Sequence, residues 1–369
     1  MSFFDCMACQ LILMLGSFGI FTDAIYCLPT FFVTTIGVYP IPRLMKRNLI
    51  LGLLATFCVI LLTTAISVLS PLDPAPVATA QGSSDEAQKL ATQPVDGFND
   101  YWNQGLAEIT SYKLEQARYG ETHEGNAVLV FVTEPFSAQK QVKLDYPQQA
   151  GSDNVPILKL NMTKKFNTGV YPYSMMLSTF TPRDMEQYPH TLKVTATSQE
   201  WCGHTFMQLN NREQDYDVAV RSYFEEEGDD DFSLEKTWIE DELWSRIRIN
   251  PDSLPTGNVA MVPSFFYTRL RHTPFEVMEA IATLADDETN PGLKTYTLNY
   301  PSQSRTLTIH FESTFPYAIQ GWEETHLSGF GNPKMLTTKA TAINHIMSDY
   351  WRRHRNIDTA LREELGLPL

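Results

Sequence analysis

Strict alternation of apolar and polar residues is the feature that most narrows what this chain can fold into. Leu307, Ile309 and Phe311 alternate with Thr306, Thr308, His310 and Glu312, and Leu192, Val194 and Ala196 alternate with Lys193, Thr195 and Thr197. Successive side chains of a strand point to opposite faces, so each segment has one face for a core and one for water. Residues 127–132 form instead a continuous apolar run of the kind buried on both faces. On this basis strands are predicted at 107–119, 127–132, 141–146, 156–162, 173–180, 192–197, 201–209 and 218–224, and again at 259–270, 275–284, 294–300 and 306–312. Two stretches have helical spacing. Residues 234–249 carry Ile239, Leu243 and Ile247 at i, i+4 and i+8 and stop before Pro251, while Ile357, Leu361 and Leu365 form a similar stripe closed by Gly366 and Pro368. Residues 100–105 open the fold, with Trp102 as an early core anchor. The expected class is mostly β: a large antiparallel sheet, curved or sandwich-like, with a few packing helices, after an N-terminal membrane or export segment.

That segment is Met45-Lys46-Arg47-Asn48 followed by an unbroken apolar run over 49–69. A cleaved signal has an apolar core of roughly 7–15 residues and a spanning helix needs about 20, so a signal-anchor is expected; cleavage after Ala80, at Ala78-Thr79-Ala80, is the alternative. Residues 1–44 are expected to be translated upstream sequence with Met45 as the start, the other reading being an extra apolar hairpin. Arg43, Lys46 and Arg47 mark the cytoplasmic flank, so everything after residue 69 is expected outside the cytoplasm, in the cell envelope or periplasm. Residues 70–97 read as a Pro-, Ala- and Ser-rich linker and 98–369 as the acidic β-rich domain.

The charges of the first eighty residues cancel, so the net −15 belongs to the remainder of the chain. Such a domain repels phosphate backbones, and nucleic acid is excluded as a partner. Cys6, Cys9, Cys27 and Cys58 all precede the linker, which leaves Cys202 alone in the folded part. An intramolecular disulfide is therefore impossible there, and core packing must stabilise the domain.

No G-x-S-x-G, P-loop or dinucleotide glycine pattern occurs, and no cofactor is expected. The sharpest local feature is Glu200-Trp201-Cys202-Gly203-His204. On a strand, Cys202, His204 and Phe206 share one face and Trp201, Met207 and Leu209 the other, with the larger apolar set marking the core. A thiol beside an imidazole suits a nucleophile pair or two metal ligands, but neighbours on one strand seldom have nucleophile–base geometry. His310, Glu312 and His326, with Glu323 and Glu324, are metal-ligand candidates by type; they lack the spacing of a known metal motif and read more simply as the polar face of a hairpin. The acidic run 225–231 reads as a solvated loop leading into a helix near Ser233, Lys164-Lys165-Phe166 as a turn, and Trp351-Arg352-Arg353-His354-Arg355 as a basic patch.

From Glu108-Ile109-Thr110-Ser111-Tyr112 and Glu115-Gln116-Ala117-Arg118-Tyr119-Gly120 onward, the chain resembles a bacterial envelope family common in Bacteroidetes-type genomes. Lys164-Lys165-Phe166-Asn167-Thr168-Gly169, residues 199–204, Leu254-Pro255-Thr256-Gly257-Asn258, Thr337-Thr338-Lys339-Ala340-Thr341 and Tyr350-Trp351 belong to the same resemblance. Members often carry the label "septum formation inhibitor Maf". Nucleotide pyrophosphatases of that name have an L-A-S-x-S-x-R-R loop, which this chain lacks, so the resemblance implies no catalytic residues. Three functions stay open. The missing catalytic motif favours a non-enzymatic binding or scaffolding domain, tethered to the membrane by its N-terminal helix and meeting a lipid or an envelope protein. The aromatic residues Tyr171, Tyr173, Phe180, Phe265, Phe266 and Tyr267 motivate a carrier of a lipid or other apolar ligand within a curved sheet. The third is a hydrolase or metalloenzyme using Cys202 and His204.

Overall fold

The computed structural model describes residues 91–368; the extension, the export run and most of the linker lie outside the described residues. Among the described residues no helix is long and apolar enough to cross a membrane. The chain opens with α1 (Phe98–Trp102), which buries Phe98 and Trp102. An antiparallel meander comes next: β1 (Ala107–Arg118), β2 (Glu121–Ser137), β3 (Asn154–Thr168), β4 (Tyr171–Pro182), β5 (Lys193–Gln199), β6 (His204–Asn211), β7 (Asp215–Ser222) and β8 (Asp229–Glu235). The two-residue strand β9 (Trp238–Ile239) leads into α2 (Glu240–Ile249), then β10 (Gly257–Val262) and α3 (Phe265–Arg271). A second meander runs through β11 (Met278–Asp286), β12 (Leu293–Tyr300), β13 (Arg305–Glu312), β14 (Ile319–Ser328) and β15 (Lys334–Ser348), before α4 (Ala360–Glu364).

All fifteen strands form one sheet, in the order β8-β7-β6-β5-β4-β3-β2-β1-β15-β14-β13-β12-β11-β10-β9. The two meanders join in the middle, where Ala107 of β1 pairs with Ser348 of β15. Its two outer edges, β8 and β9, are consecutive in the chain and separated only by Lys236 and Thr237. Thr237 touches both sides: its carbonyl accepts the Tyr216 hydroxyl of β7 at 2.6 Å, and its own hydroxyl donates to Ala260 O of β10 at 2.7 Å. The sheet therefore curls until its edges meet, which selects a curved sheet over a sandwich.

The inner face is apolar and filled by α2, every residue of which is buried. Leu114, Leu129, Leu160, Leu177, Leu209, Leu298 and Ile309 point at Leu243, Ile247 and Phe265 in one continuous core. The residues from Thr79 to Leu369 cluster as a compact unit, and this core lies wholly within them. The outward positions carry Thr163, Thr195, Thr197, Thr295, Thr306 and Thr325. Cross-strand pairs such as Thr297–Thr308 at 3.2 Å and Thr325–Thr337 at 2.8 Å line this face. A membrane-spanning barrel has the reverse arrangement, with an apolar band outside and a polar lumen. One outward patch is covered by the chain itself: Leu365 and Leu367 pack on Ala107, Ile109 and Val132.

Several expectations are corrected. Residues 141–146 form a loop with a single bridge, Phe136–Lys143, because Gln141 takes a left-handed φ of 53°. The apolar run 259–270 breaks after Val262; Ser264 accepts the Phe266 N–H as an N-cap, and the remainder is α3. The helix expected from residue 234 begins at Glu240, since Asp229–Glu235 pairs with β7 as an edge strand. Lys164, Lys165 and Phe166 lie inside β3 and not at a turn. Ile319–Ser328 and Lys334–Ser348 add two strands to those expected. The last stretch of the expected linker is already attached to the domain: Met185 N–H donates to Thr92 O at 3.2 Å, and Asn250 Nδ2 to Gln93 O at 3.0 Å.

Candidate functional site

Between the inner faces of β6, β7 and β8 and the segment just after α3 lies an open cleft of about 900 Å³. Its walls are Met207, Val220, Phe224, Phe232, Phe275 and Phe330. Strand parity explains the first part of this wall. Met207 and Val220 share the inward face with Leu209 and Val218, and line the cleft with Thr268 and Arg269 of α3. The opposite wall exists because α3 stops at His272, which takes a left-handed φ of 52° and turns the chain back through Pro274 and Phe275.

The floor is polar. Arg269, only 5% exposed, donates through Nη2 to Glu200 Oε1 at 3.2 Å and lies 3.7 Å from Glu227 through Nη1. His272 Nδ1 meets Glu227 Oε1 at 2.5 Å, and the Ser222 hydroxyl donates to Glu227 Oε2 at 2.6 Å. Burial would raise the Glu227 carboxyl, but the hydrogen bonds from His272 and Ser222 and the Arg269 charge outweigh it and hold it below the usual range. The Arg269 guanidinium lies 4.4 Å over the Phe224 ring, and the His272 ring meets the same ring edge-on at 5.0 Å. Beside the cleft, the Tyr119 hydroxyl bridges those of Tyr173 (2.8 Å) and Tyr171 (3.0 Å), with Arg118 Nη2 3.2 Å from Tyr119 and Tyr173. Each carboxylate of the floor is thus matched by a donor. The Ser222 hydroxyl is used to hold the Glu227 carboxylate, while Thr205, Thr268 and Thr273 also line the cleft.

Three charged clusters pin α2 inside the sheet. Arg248 grips Glu108 of β1 with both Nη atoms, the second at 2.6 Å, and Tyr101 donates to the same carboxylate. Arg305 holds Glu240 at 2.6 Å through each Nη and Glu324 at 2.7 Å through Nε, and the Tyr300 hydroxyl adds 2.7 Å to Glu240. Burial pushes Glu324 up, but Arg305 and then Lys164 bring it down to about 2. Glu242 accepts from His190 and from Thr191 N–H, with Arg246 at 3.8 Å. Lys164 is buried beside this interior, its ammonium 5.4 Å from the Phe266 ring and 5.9 Å from that of Trp322, and burial lowers its pKa.

The residues singled out from the sequence fall elsewhere. Cys202 is exposed in the β5–β6 turn, where burial and then Glu200 push its thiol up and away from the thiolate form. His204 is exposed at the first position of β6, and Trp201 is exposed too, stacked at 6.5 Å on Tyr171 instead of entering the core. His310 points outward to Asp287 at 3.1 Å, and Glu312 outward to Gln320 at 3.1 Å. His326 points inward with Glu324, which corrects the reading of this stretch as a polar hairpin face. The sheet thus puts His310 and His326 on opposite faces and brings no metal-holding group of three together among the described residues. The acidic run does reach the cleft, through Glu225, Glu226, Glu227 and Asp230, as a turn and strand and not as a helix lead-in. Sequence reasoning missed Arg269 and His272. The available signal was Arg269, Arg271 and His272 following the apolar run Phe265-Phe266-Tyr267.

Fold and site together define a mostly β protein: a single sheet, antiparallel except for its β9–β10 edge pair, curled around a charged helix, with an apolar cleft over a polar floor at one end. No family model matches the chain. No curated protein matches it either. Among solved structures, it is similar to a porin-like protein from Bacteroides uniformis, at 8% identity, over 68% of this chain and 98% of that chain, with a TM-score of 0.19.

Proposed function

We propose that this domain is a non-enzymatic, extracytoplasmic binding protein for a small hydrophobic or amphipathic molecule, held in the cell envelope by the apolar segment 49–69. The cleft carries the reading. Its volume of about 900 Å³ falls within the range of small-molecule sites, roughly 300–1,000 Å³, and its few convergent polar groups sit on one side of an apolar wall. The order of basic flank, apolar run and linker supports the location. The test is native mass spectrometry of the full chain purified from a bacterial envelope, with a titration by the apolar dye N-phenyl-1-naphthylamine. An adduct lost on denaturation is expected, together with dye binding that Val220→Trp, which fills the cleft, weakens by about 10-fold or more. A bare polypeptide mass combined with dye binding indifferent to Val220→Trp would overturn the reading. Location is read separately: a reporter fused after Leu369 should be active only outside the cytoplasm.

A further inference from the structure

We infer that the cleft end of the sheet is a membrane-docking rim, which dips into the interface of an electrically neutral lipid bilayer. The strand registers bring the hairpin turns to one end. Gly125 pairs with Phe166, Ser174 with Gln199 and Thr205 with Ser222, so the β1–β2, β3–β4, β5–β6 and β7–β8 turns are neighbours. The β14–β15 turn joins them, since a Cβ on Gly329 would lie 3.2 Å from Gly120. Four of these five turns present a large apolar or aromatic side chain to solvent: Val170 at 81%, Trp201 at 69%, Tyr223 at 69% and Phe330 at 71% exposure.

Rings at two of the tips are held in place, Trp201 stacked on Tyr171 at 6.5 Å and Phe330 tilted on Tyr119 at 5.9 Å. Indole, phenol and phenyl groups at loop tips suit the boundary between headgroups and acyl chains, where an apolar body and a polar edge are both solvated. The same surface is unsuited to an anionic partner, because Glu225 and Glu226 stand beside Tyr223 without a counter-ion among the described residues. Phe330 belongs both to the rim and to the cleft wall, so an apolar path runs from the tips inward. A rigid protein partner would close that path; a bilayer continues it. The chain also reads as membrane-tethered, which keeps a bilayer within reach. Loading the cleft from lipid rests on the proposed binding function, but the docking itself does not.

The compact unit 79–369 contains Cys202 as its single cysteine, exposed beside Trp201 at a rim tip. It can carry an environment-sensitive nitrobenzoxadiazole label there. With phosphatidylcholine vesicles, and no added ligand, the label should brighten and shift to the blue, equally at about 0.1 and about 1 M NaCl. The double variant Val170→Ser, Tyr223→Ser should partition at least about 10-fold more weakly while keeping a cooperative melt, because both side chains are mostly exposed and neither lines the cleft. Val170→Asp alone, at a position 81% exposed, should weaken partition in the same direction. No response to neutral vesicles, a response that the variants leave intact, or binding confined to phosphatidylglycerol vesicles and abolished by salt would each overturn the inference. So would burial of the label in a concentration-dependent dimer without vesicles. Failure of dye binding with intact vesicle binding would sink the ligand reading alone.

Discussion

Replacing Arg248 by Met tests how α2 is held inside the sheet. Arg248 and Glu108 are 1% and 2% exposed, and Arg248 is the only cation on that carboxylate at salt-bridge distance among the described residues. Removing one member of such a pair leaves a buried charge and costs about 3–5 kcal/mol, a large share of the roughly 5–15 kcal/mol that holds a domain together. With a urea m-value of about 3 kcal/mol/M, the unfolding midpoint should fall by roughly 1–2 M. Met keeps most of the volume against Trp102 and Phe131, whose rings lie 5.1 and 4.9 Å from the guanidinium. It loses the Nε bond to Pro316 O at 2.9 Å. Both Arg248→Met and the double variant Arg248→Met/Glu108→Gln share that loss, so their difference isolates the orphaned carboxylate. The double variant should regain about half of the lost stability or more. The pH dependence adds a sign. Burial would raise the Glu108 carboxyl, but Arg248 and Tyr101 outweigh it and hold it low. Its contribution is therefore present above the ordinary carboxylate range and lost as pH falls through the folded value. In Arg248→Met burial acts without its counterweight, the folded pKa rises above the unfolded one, and the deficit against wild type should shrink as pH falls from about 7 to about 4. A double variant as unstable as the single one, or a deficit that grows on acidification, would refute the reasoning.

The same interior yields two more expected outcomes. Asp241 is wholly buried on α2, accepts the Phe265 N–H at 3.0 Å, and is pushed by burial up to about 7. Its folded pKa exceeds its unfolded one, so the stability it contributes is full below about pH 4 and lost as pH rises through about 7; Asp241→Asn should flatten the stability profile over that window in urea melts. A profile as steep as wild type would show that another group titrates there. A Cβ on Gly321 would sit 2.4 Å from Ala340 O across the β14–β15 ladder, so Gly321→Ala must shift backbone; a cost of about 1–3 kcal/mol should appear as a lower melting temperature.

Much of the sheet was legible because alternation fixes which face is wet. Leu307, Ile309 and Phe311 point inward as their spacing requires, and Trp102 anchors the core. The same rule read further would have marked the buried charges. Lys164 is in phase with Met162 and Phe166, and Arg305 with Leu307 and Ile309, so both occupy core positions. The polar character of Asp229–Glu235 hid β8, whose inward residues are only Asp230, Phe232 and Leu234 on an edge. The run 259–270 misled because a short apolar stretch serves a strand and a helix equally well. The cleft was out of reach. Its walls come from β6, β7, β8, the β14–β15 turn and the turn after α3, a tertiary juxtaposition that no local pattern carries.

The pairing of β1 with β15 gives the protein an unusual order of assembly. Its two central strands come from opposite ends of the folded region, while its edges come from the middle. As the chain emerges during synthesis, the first eight strands can form a meander, but the outer edge of β1 stays unpaired until the final strand appears. Long-range closure of this kind is slow, and an open edge beside an uncovered apolar face invites association with other chains. A polypeptide stalled or cut short before Lys334 would keep that edge exposed. Completion of the C-terminal strand is thus the event that separates an aggregation-prone intermediate from a finished molecule.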